Sequence, residues 1–295
     1  METPLFSSLH THTVFCDGKD DVETMCRAAY DKGLAAIGFS AHAPVGKKTG
    51  YKTTWHMPDE RLGAYMDEVN AARRRWEGKI AVYLGLELDY IKGLRCALDD
   101  DIKSLNLDYL IGSVHYLLPP YGAPFTVDGP PAEVETGVRE GFAGDGEAMV
   151  NAYWDAVTEM LALGGFDIVG HLDLVKKNNA ANRFFNCESE TYLRRAEEAV
   201  RAIAVAAEGG FVVEVNTGGI NRGYLSEPYP SPVILRLMRR HNVPVMISAD
   251  AHNVQDIDGH YQIACQALLD AGYTSHVIFE GRNGGKPVWR EQALP

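Results

Sequence analysis

Short apolar runs alternate with longer amphipathic segments along this chain. Runs at 7–13, 35–40, 80–86, 109–114, 166–170, 211–215, 243–248 and 276–280 have the length and the branched or aromatic content of strands. Between them, 20–32, 59–76, 147–163, 188–208, 231–241 and 257–271 place apolar residues at helical spacing. The first of these starts with acidic residues and ends at Gly33, a good cap pattern. Several strand runs are apolar throughout, as expected where both faces are buried. This alternation predicts an α/β fold with a parallel sheet and helices outside it. Seven or eight such units with no internal linker predict closure into a barrel, a single domain over 1–295. Two stretches break the rhythm. Residues 119–146 are rich in Pro, Gly and acidic residues, and 176–186 are polar and basic. Both read as long loops, which in compact domains are usually functional or disordered.

Composition narrows the partners. The hydrophobic fraction of 46% supplies a sizeable core, and the formal net charge is −12. That charge argues against nucleic acid or an anionic membrane surface. A small anionic substrate stays possible, because bound metal ions can dominate a local field. The five cysteines, Cys16, Cys26, Cys96, Cys187 and Cys265, show no Cys-x-x-Cys spacing and read as free thiols in a reducing compartment. With no signal-like start and no membrane-length apolar stretch, a soluble cytoplasmic protein is expected. No oligomeric state follows.

The chemistry lies at the strand ends. His10, His12 and Asp17 follow the first run, and His42 ends the second. Glu87 ends the third, His115 the fourth and His171 the fifth, while Asp250 and His252 end the seventh. Barrel active sites sit at the C-terminal ends of strands, and all nine residues are there. One residue separates His10 from His12, so in a strand both imidazoles face one side. Taken singly, each has an ordinary reading. A strand-end histidine is usually hydrogen-bonded in the core, Asp17 suits a turn and Asp250 suits a helix cap. Glu87 is harder to dismiss, because a carboxylate in an apolar run needs partners. Nine nitrogen and oxygen donors suit Zn, Mn or Fe and exceed what one tetrahedral ion needs. Two or three divalent ions are expected, with paired ions about 3.5–4 Å apart able to activate water and polarise a phosphoryl oxygen. His56, His241, His260 and His276 fall outside this pattern and read as surface or structural residues.

The ordered set His10-x-His12, Asp17, His42, Glu87, His115, His171 and Asp250-x-His252 resembles the PHP (polymerase and histidinol phosphatase) superfamily. Gly112-Ser113-Val114-His115-Tyr116, Gly170-His171-Leu172-Asp173-Leu174-Val175 and Glu214-Val215-Asn216-Thr217-Gly218-Gly219 resemble its histidinol-phosphatase branch, as does the run from Tyr224 to Ser231. The resemblance implies a distorted (β/α)7 TIM-like barrel with a two- or three-metal site. It assigns His10, His12, Glu87 and Asp250 to a first ion. Glu87, His115 and His171 go to a second, with Glu87 bridging, and Asp17, His42 and His252 to a third. Many members of that branch carry histidine where this chain has Asp17. The activity implied is hydrolysis of a small phosphate monoester, L-histidinol phosphate, by a hydroxide held between two ions. Glu87, Asp250 and His252 would be the catalytic residues, with His252, Asp250 or the third ion assisting the leaving group.

Phosphate also attracts basic side chains. Lys176, Lys177 and Arg183 follow the fifth run and Arg222 the sixth. Lys177, Arg183 and Arg222 are the candidate substrate-binding residues, Arg222 foremost. Asp89 and Glu227 could meet a cationic substrate group. Cys16 reads as a packing residue, and Asp173 and Asn216 as groups that orient ligands. The rival readings are another phosphate ester, an amidohydrolase-type barrel and a non-catalytic metal-binding module. The amidohydrolase reading lacks the bridging lysine it needs on the fourth strand.

Overall fold

The structure, a computed structural model, describes residues 6–295. The first helix is α1 (Val22–Asp31), followed by strand β1 (Ala36–Phe39), helix α2 (Leu62–Arg75) and strand β2 (Ala81–Asp89). Then come α3 (Asp100–Lys103), β3 (Tyr109–Ser113), β4 (Tyr116–Leu117), β5 (Phe125–Thr126), α4 (Pro131–Thr136) and α5 (Gly146–Leu163). The chain continues through β6 (Ile168–Val169), α6 (Glu190–Ala207), β7 (Val212–Asn216), α7 (Gly218–Asn221), α8 (Pro232–Arg240) and β8 (Val245–Ser248). It ends with α9 (Tyr261–Asp270), β9 (Ser275–Asn283) and β10 (Lys286–Ala293). Three of the helices, α1, α5 and α6, begin on side-chain caps. Asp21 accepts from the Thr24 N–H at 2.7 Å, Asp145 from Ala148 at 3.0 Å and Ser189 from Tyr192 at 3.1 Å. Each cap contributes about 1 kcal/mol by satisfying an end N–H group.

Six strands form a parallel sheet in the order β1-β2-β3-β6-β7-β8. The segment before α1 lies along both of its edges. The Gly38 N–H donates to Ser8 O (2.7 Å) and that of Ser40 to Thr11 O (3.0 Å). On the other side, the His12 N–H donates to Ala251 O (2.8 Å) and that of Ala251 to His10 O (3.0 Å). The predicted run 7–13 is therefore paired, but only through isolated bridges at Ser8 and Thr11. A three-residue step from Ser8 to Thr11 faces a two-residue step from Gly38 to Ser40. The extra residue is a bulge, which breaks the ladder and re-aims side chains.

Strand alternation builds the interior in layers. Tyr83, Gly85 and Glu87 share one face of β2, Tyr109, Ile111 and Ser113 one face of β3, and Val212, Glu214 and Asn216 one face of β7. The lower members join Leu9, Ile168, Met246 and Phe279 in an apolar plug. The upper members are polar and face the strands' C-terminal ends. Tyr109 fills the middle and donates its hydroxyl to Leu9 O. A Cβ on Gly38 or Gly85 would meet the Tyr109 ring or hydroxyl at 2.5 Å. The opposite faces of the strands pack on the helices in the larger core.

The predicted run 276–280 does not join the parallel sheet. It lies in β9, which pairs antiparallel with β10. Gly284 and Gly285, with φ of 58° and 80°, make the two-residue turn that favours a hairpin. This ribbon closes the lower end, with Phe279 buried against Tyr83, Tyr109 and Trp289. Phe279→Ala should destabilise the fold by about 3–5 kcal/mol, read as a lower urea midpoint. A loss under about 1 kcal/mol would show that the ribbon is not a plug.

The two predicted loops carry more order than expected. Residues 119–146 hold β5, α4 and a π-turn at Gly137–Gly141, and 176–186 include a short 3-10 turn at Ala180–Asn182. Both fold back over the C-terminal ends of the strands. All five cysteines are free thiols. Among the described residues, no helix is long and apolar enough to cross a membrane.

Candidate metal centre

Glu87 stands at the middle of the site, almost fully buried at the top of β2. Its Oε2 lies 2.8 Å from His42 Nδ1, 3.3 Å from His10 Nε2 and 3.6 Å from His12 Nε2. Its Oε1 lies 2.8 Å from His171 Nε2 and 3.7 Å from His115 Nε2, and accepts the Ser113 hydroxyl at 2.7 Å. Asp250 Oδ1 sits 3.3 Å from His12 Nε2 and 3.8 Å from His10 Nε2. Asp17 Oδ1 is 3.7 Å from His12 Nδ1 and 3.8 Å from His42 Nε2, and its Oδ2 is 3.3 Å from His252 Nε2. All nine predicted donors thus gather at one end of the sheet.

Three groups have donor atoms within 4.8 Å of one another: His10, His12 and Asp250; His10, Glu87 and His171; and His12, Asp17, His42 and His252. The grouping differs from the expected partition. His12 also joins Asp17, His42 and His252, His10 also joins Glu87 and His171, Glu87 is absent from the first group and His115 lies outside the second. The donor set fits divalent cations. His10 Nε2, His12 Nε2, His42 Nδ1 and Glu87 Oε2 are buried without an aligned hydrogen-bond partner. Such atoms are costly unless something else binds them.

Outer partners fix which nitrogen is free. Glu214, fully buried on β7, accepts from His10 Nδ1 at 2.8 and 3.1 Å. That leaves His10 Nε2 as the donor atom aimed at the centre. Glu214 also accepts from the His171 N–H (2.6 Å), the Ser248 hydroxyl (2.6 Å) and Asn216 Nδ2 (2.9 Å). Asp89 Oδ1 accepts from His115 Nδ1 at 2.8 Å, directing His115 Nε2 inward. Carboxylates behind ligating histidines hold the ring and its tautomer in this way.

Burial opposes every charge here, and at most of the groups neighbouring charges overcome it. Burial works against protonated His10, but Glu214, Glu87 and Asp250 hold its pKa well above the ordinary imidazole value. In the same way burial is outweighed by Asp89 and Glu87 at His115, which rises to about 10. His12 goes the other way, pushed down to about 3 by burial with His252 and His42 beside it. Burial of Glu87 is outweighed by His42, His10 and His115, and burial of Asp250 by Arg222 and His10. Both carboxyls fall well below their usual range. Protonated imidazoles thus balance the buried carboxylates, and a cation held by these residues would have to displace those protons.

The centre opens into a cavity of about 900 Å³. Asp17, His42, Glu87, His115, Asp250 and His252 form part of its lining. Arg222 also lines it, with Nη2 2.9 Å from Asp250 Oδ2 and Nη1 3.2 Å from His252 Nδ1. Lys177 lines it too, with Nζ 2.6 Å from Asp128 O and over the Tyr224 ring. Arg183 is not among the lining residues. It is half exposed and pairs with Glu135 at 2.7 Å. Lys176 is buried and donates to Glu227 Oε1 and Pro228 O, both at 3.0 Å, so it braces the loop. That contact also occupies Glu227, and Asp89 is buried between two histidines. Neither acid is at the rim.

Cys16 Sγ sits 3.5 Å from His12 Nδ1, and burial with Asp17 nearby pushes the thiol up to about 11. A thiol held protonated is a packing group. Asn216 orients Glu214, whereas Asp173 accepts from the Ser231 N–H (3.1 Å) and supports a neighbouring loop. Glu214 and His56 were not anticipated as parts of the site, and Asp89, expected to meet a cationic substrate group, instead orients His115. His56 is buried and bonded to Asp89 at 2.7 Å. A carboxylate inside the apolar run Val212–Val215 carries the same signal as Glu87, and Asp89 shares the parity of Glu87.

Residues 8–218 match the PHP domain family. The chain belongs to the PHP domain family. A Deinococcus radiodurans protein named "probable histidinol-phosphatase" is 29% identical over 89% of this PHP chain and 92% of its own length. The histidinol-phosphatase of Bacillus subtilis is 24% identical over 86% of this chain and 96% of its own. The solved histidinol phosphate phosphatase of Lactococcus lactis, described as complexed with zinc, L-histidinol and phosphate, has a TM-score of 0.70. It is 19% identical, covering 97% of this chain and 100% of that one, and the likeness concerns the fold.

Proposed function

We propose that this PHP chain is a metal-dependent phosphatase that hydrolyses L-histidinol phosphate to L-histidinol and phosphate. The observation that carries the reading is the convergence of nine donors, Glu87 at their middle, beneath a cavity that also presents Arg222. The named relatives support the choice of ester. The six-stranded sheet, with segment 8–12 bonded to both edges, supports a distorted (β/α)7 TIM-like barrel.

His10, His12, Glu87 and Asp250 would hold one cation and Glu87, His171 and His115 a second. Asp17, His42 and His252 would hold a third, with Zn, Mn or Fe as candidates. Such ions supply positive charge to phosphoryl oxygens and lower the pKa of water. The chain's own residues do the rest. Glu214 and Asp89 hold the imidazoles of His10 and His115 in one tautomer. Arg222 presents its guanidinium at the cavity wall, where it can grip phosphate oxygens with parallel N–H bonds. The leaving oxygen would be assisted at the third-cation group, of which His252, 17% exposed, is a member. The small ester, a cytoplasmic setting and the absence of nucleic-acid and membrane partners belong to the same proposal.

Phosphate release from L-histidinol phosphate, nucleotides and sugar phosphates, with protein loaded with Zn, Mn or Fe, tests it. A kcat/KM preference for histidinol phosphate that chelation removes is the expected result. Activity confined to other esters would overturn the specificity, and inactivity on all would revive a non-catalytic role. Arg222→Ala should raise KM about 10–100-fold, the size of a lost charged hydrogen bond. An unchanged KM would remove Arg222 from the phosphate site.

A further inference from the structure

Residues 50–55 run along one wall of the cavity as a strap that ends at His56. Trp55 lies over His56 with ring centroids 3.7 Å apart and stacks on Tyr116 at 5.7 Å. Its ring also meets His42 edge-on at 4.7 Å and His115 at 5.4 Å. A polar chain helps hold the strap behind the wall. His56 Nε2 lies 2.7 Å from Asp89 Oδ2, and Thr53 Oγ1 lies 2.8 Å from His56 Nδ1. Asp89 Oδ1 is taken by His115 Nδ1 at 2.8 Å.

Donor and acceptor roles follow from this chain. An ionised carboxylate only accepts, so both imidazoles donate to Asp89. His115 then carries its proton on Nδ1 and offers Nε2 to the centre. His56 carries its proton on Nε2, and its Nδ1 accepts from the Thr53 hydroxyl. Burial lowers the His56 pKa, in keeping with this neutral form. One carboxylate therefore fixes a metal ligand with one oxygen and the strap with the other.

We propose that His56 is a positioning residue: through Asp89 it couples the order of the strap carrying Trp55 to the orientation of His115, and hence to metal binding. The proposal rests on the metal-centre reading above. Anything that loosens the strap frees Asp89 to turn, and His115 turns with it. By reciprocity, a cation that fixes His115 steadies the strap.

Zinc alone is the probe. Its affinity is measured by chelator competition, and amide hydrogen exchange is followed across 50–57. Wild type, His56→Leu and His56→Gln are compared. Glutamine keeps an N–H donor near the position of Nε2, whereas leucine keeps only bulk. Zinc should slow exchange at 50–57 in wild type and in His56→Gln. In His56→Leu the slowing should be lost and zinc affinity should fall about 10–100-fold, with His56→Gln within about threefold of wild type. Equal affinity and equal slowing in all three would overturn the proposal. So would equal losses in both variants, because packing alone would then explain them. Wild type that takes up no zinc would overturn the metal-centre reading and the proposal together. Should His56→Leu fail to fold, Thr53→Val removes the hydroxyl that holds Nδ1 and should weaken zinc about fivefold. Unchanged affinity with unchanged slowing at 50–57 in that variant would also overturn it.

Discussion

Replacing Glu87 with alanine is expected to lower kcat/KM for phosphate release by at least about a thousandfold while the fold persists. A thousandfold is about 4 kcal/mol of transition-state stabilisation, within what bound cations supply to a phosphoryl group. The size follows from position. Oε2 faces His42, His10 and His12, and Oε1 faces His171 and His115. Without this carboxylate, five imidazoles converge on a void with no shared anion. Glu87→Gln separates charge from volume. It keeps the shape and the contact with Ser113 but carries no negative charge, so it should fail almost as completely. Turnover, bound metal per chain and far-ultraviolet circular dichroism measure the three parts of the claim. Near-normal turnover in either variant would sink the idea that Glu87 joins two cation sites.

Removing metal should abolish turnover, and restoring it should be strongly pH-dependent. His10 and His115 hold protons tightly in the metal-free chain, His115 with a pKa of about 10. A ligating imidazole must be neutral, so zinc uptake displaces those protons and weakens as pH falls. Calorimetry in buffers of different ionisation enthalpy should therefore show net proton release. Thermal unfolding gives an independent reading. The stability His115 contributes without metal is complete below about pH 6.5, its unfolded value, and fades as pH rises through about 10. Glu87 and Asp250, with lowered pKa values, contribute fully above roughly pH 4.5 and lose that contribution as pH falls through their folded values. The metal-free chain should thus be most heat-stable between those limits, and the Tm gain on adding zinc should be larger at pH 8.5 than at pH 6. A larger gain at pH 6, or no proton release, would contradict the charge state described here.

Much of this was legible because strands impose parity and barrels impose polarity. The period of two puts Tyr83, Gly85 and Glu87 on one face, and the C-terminal ends of the strands collect ligands. Neither requires knowledge of distant contacts. What escaped was set by tertiary pairing. Glu214 stands 204 residues from His10, which it orients. His56 lies in a stretch without strand or helix pattern, so its burial against Asp89 had no local signature. Arg183 and Lys176 looked alike in sequence, yet one pairs at the surface and the other is sealed under Pro228. Local composition cannot separate a basic residue that meets ligand from one that braces a loop. The ribbon was readable in part. Gly284-Gly285 is a hairpin turn signal, but β10 offers only Val288 and Trp289 as large apolar residues, too weak a pattern to reveal its partner.

The segment carrying His10 and His12 is held by Ala251, about 240 residues further along the chain. On a ribosome the two histidines emerge well before their hydrogen-bond partner. Asp250 and His252 arrive at the same late moment as Ala251. The complete donor set therefore comes together only after the chain has been synthesised through His252. Metal capture therefore waits for β8, and a nascent chain halted before β8 lacks the contact that seats its first two ligands.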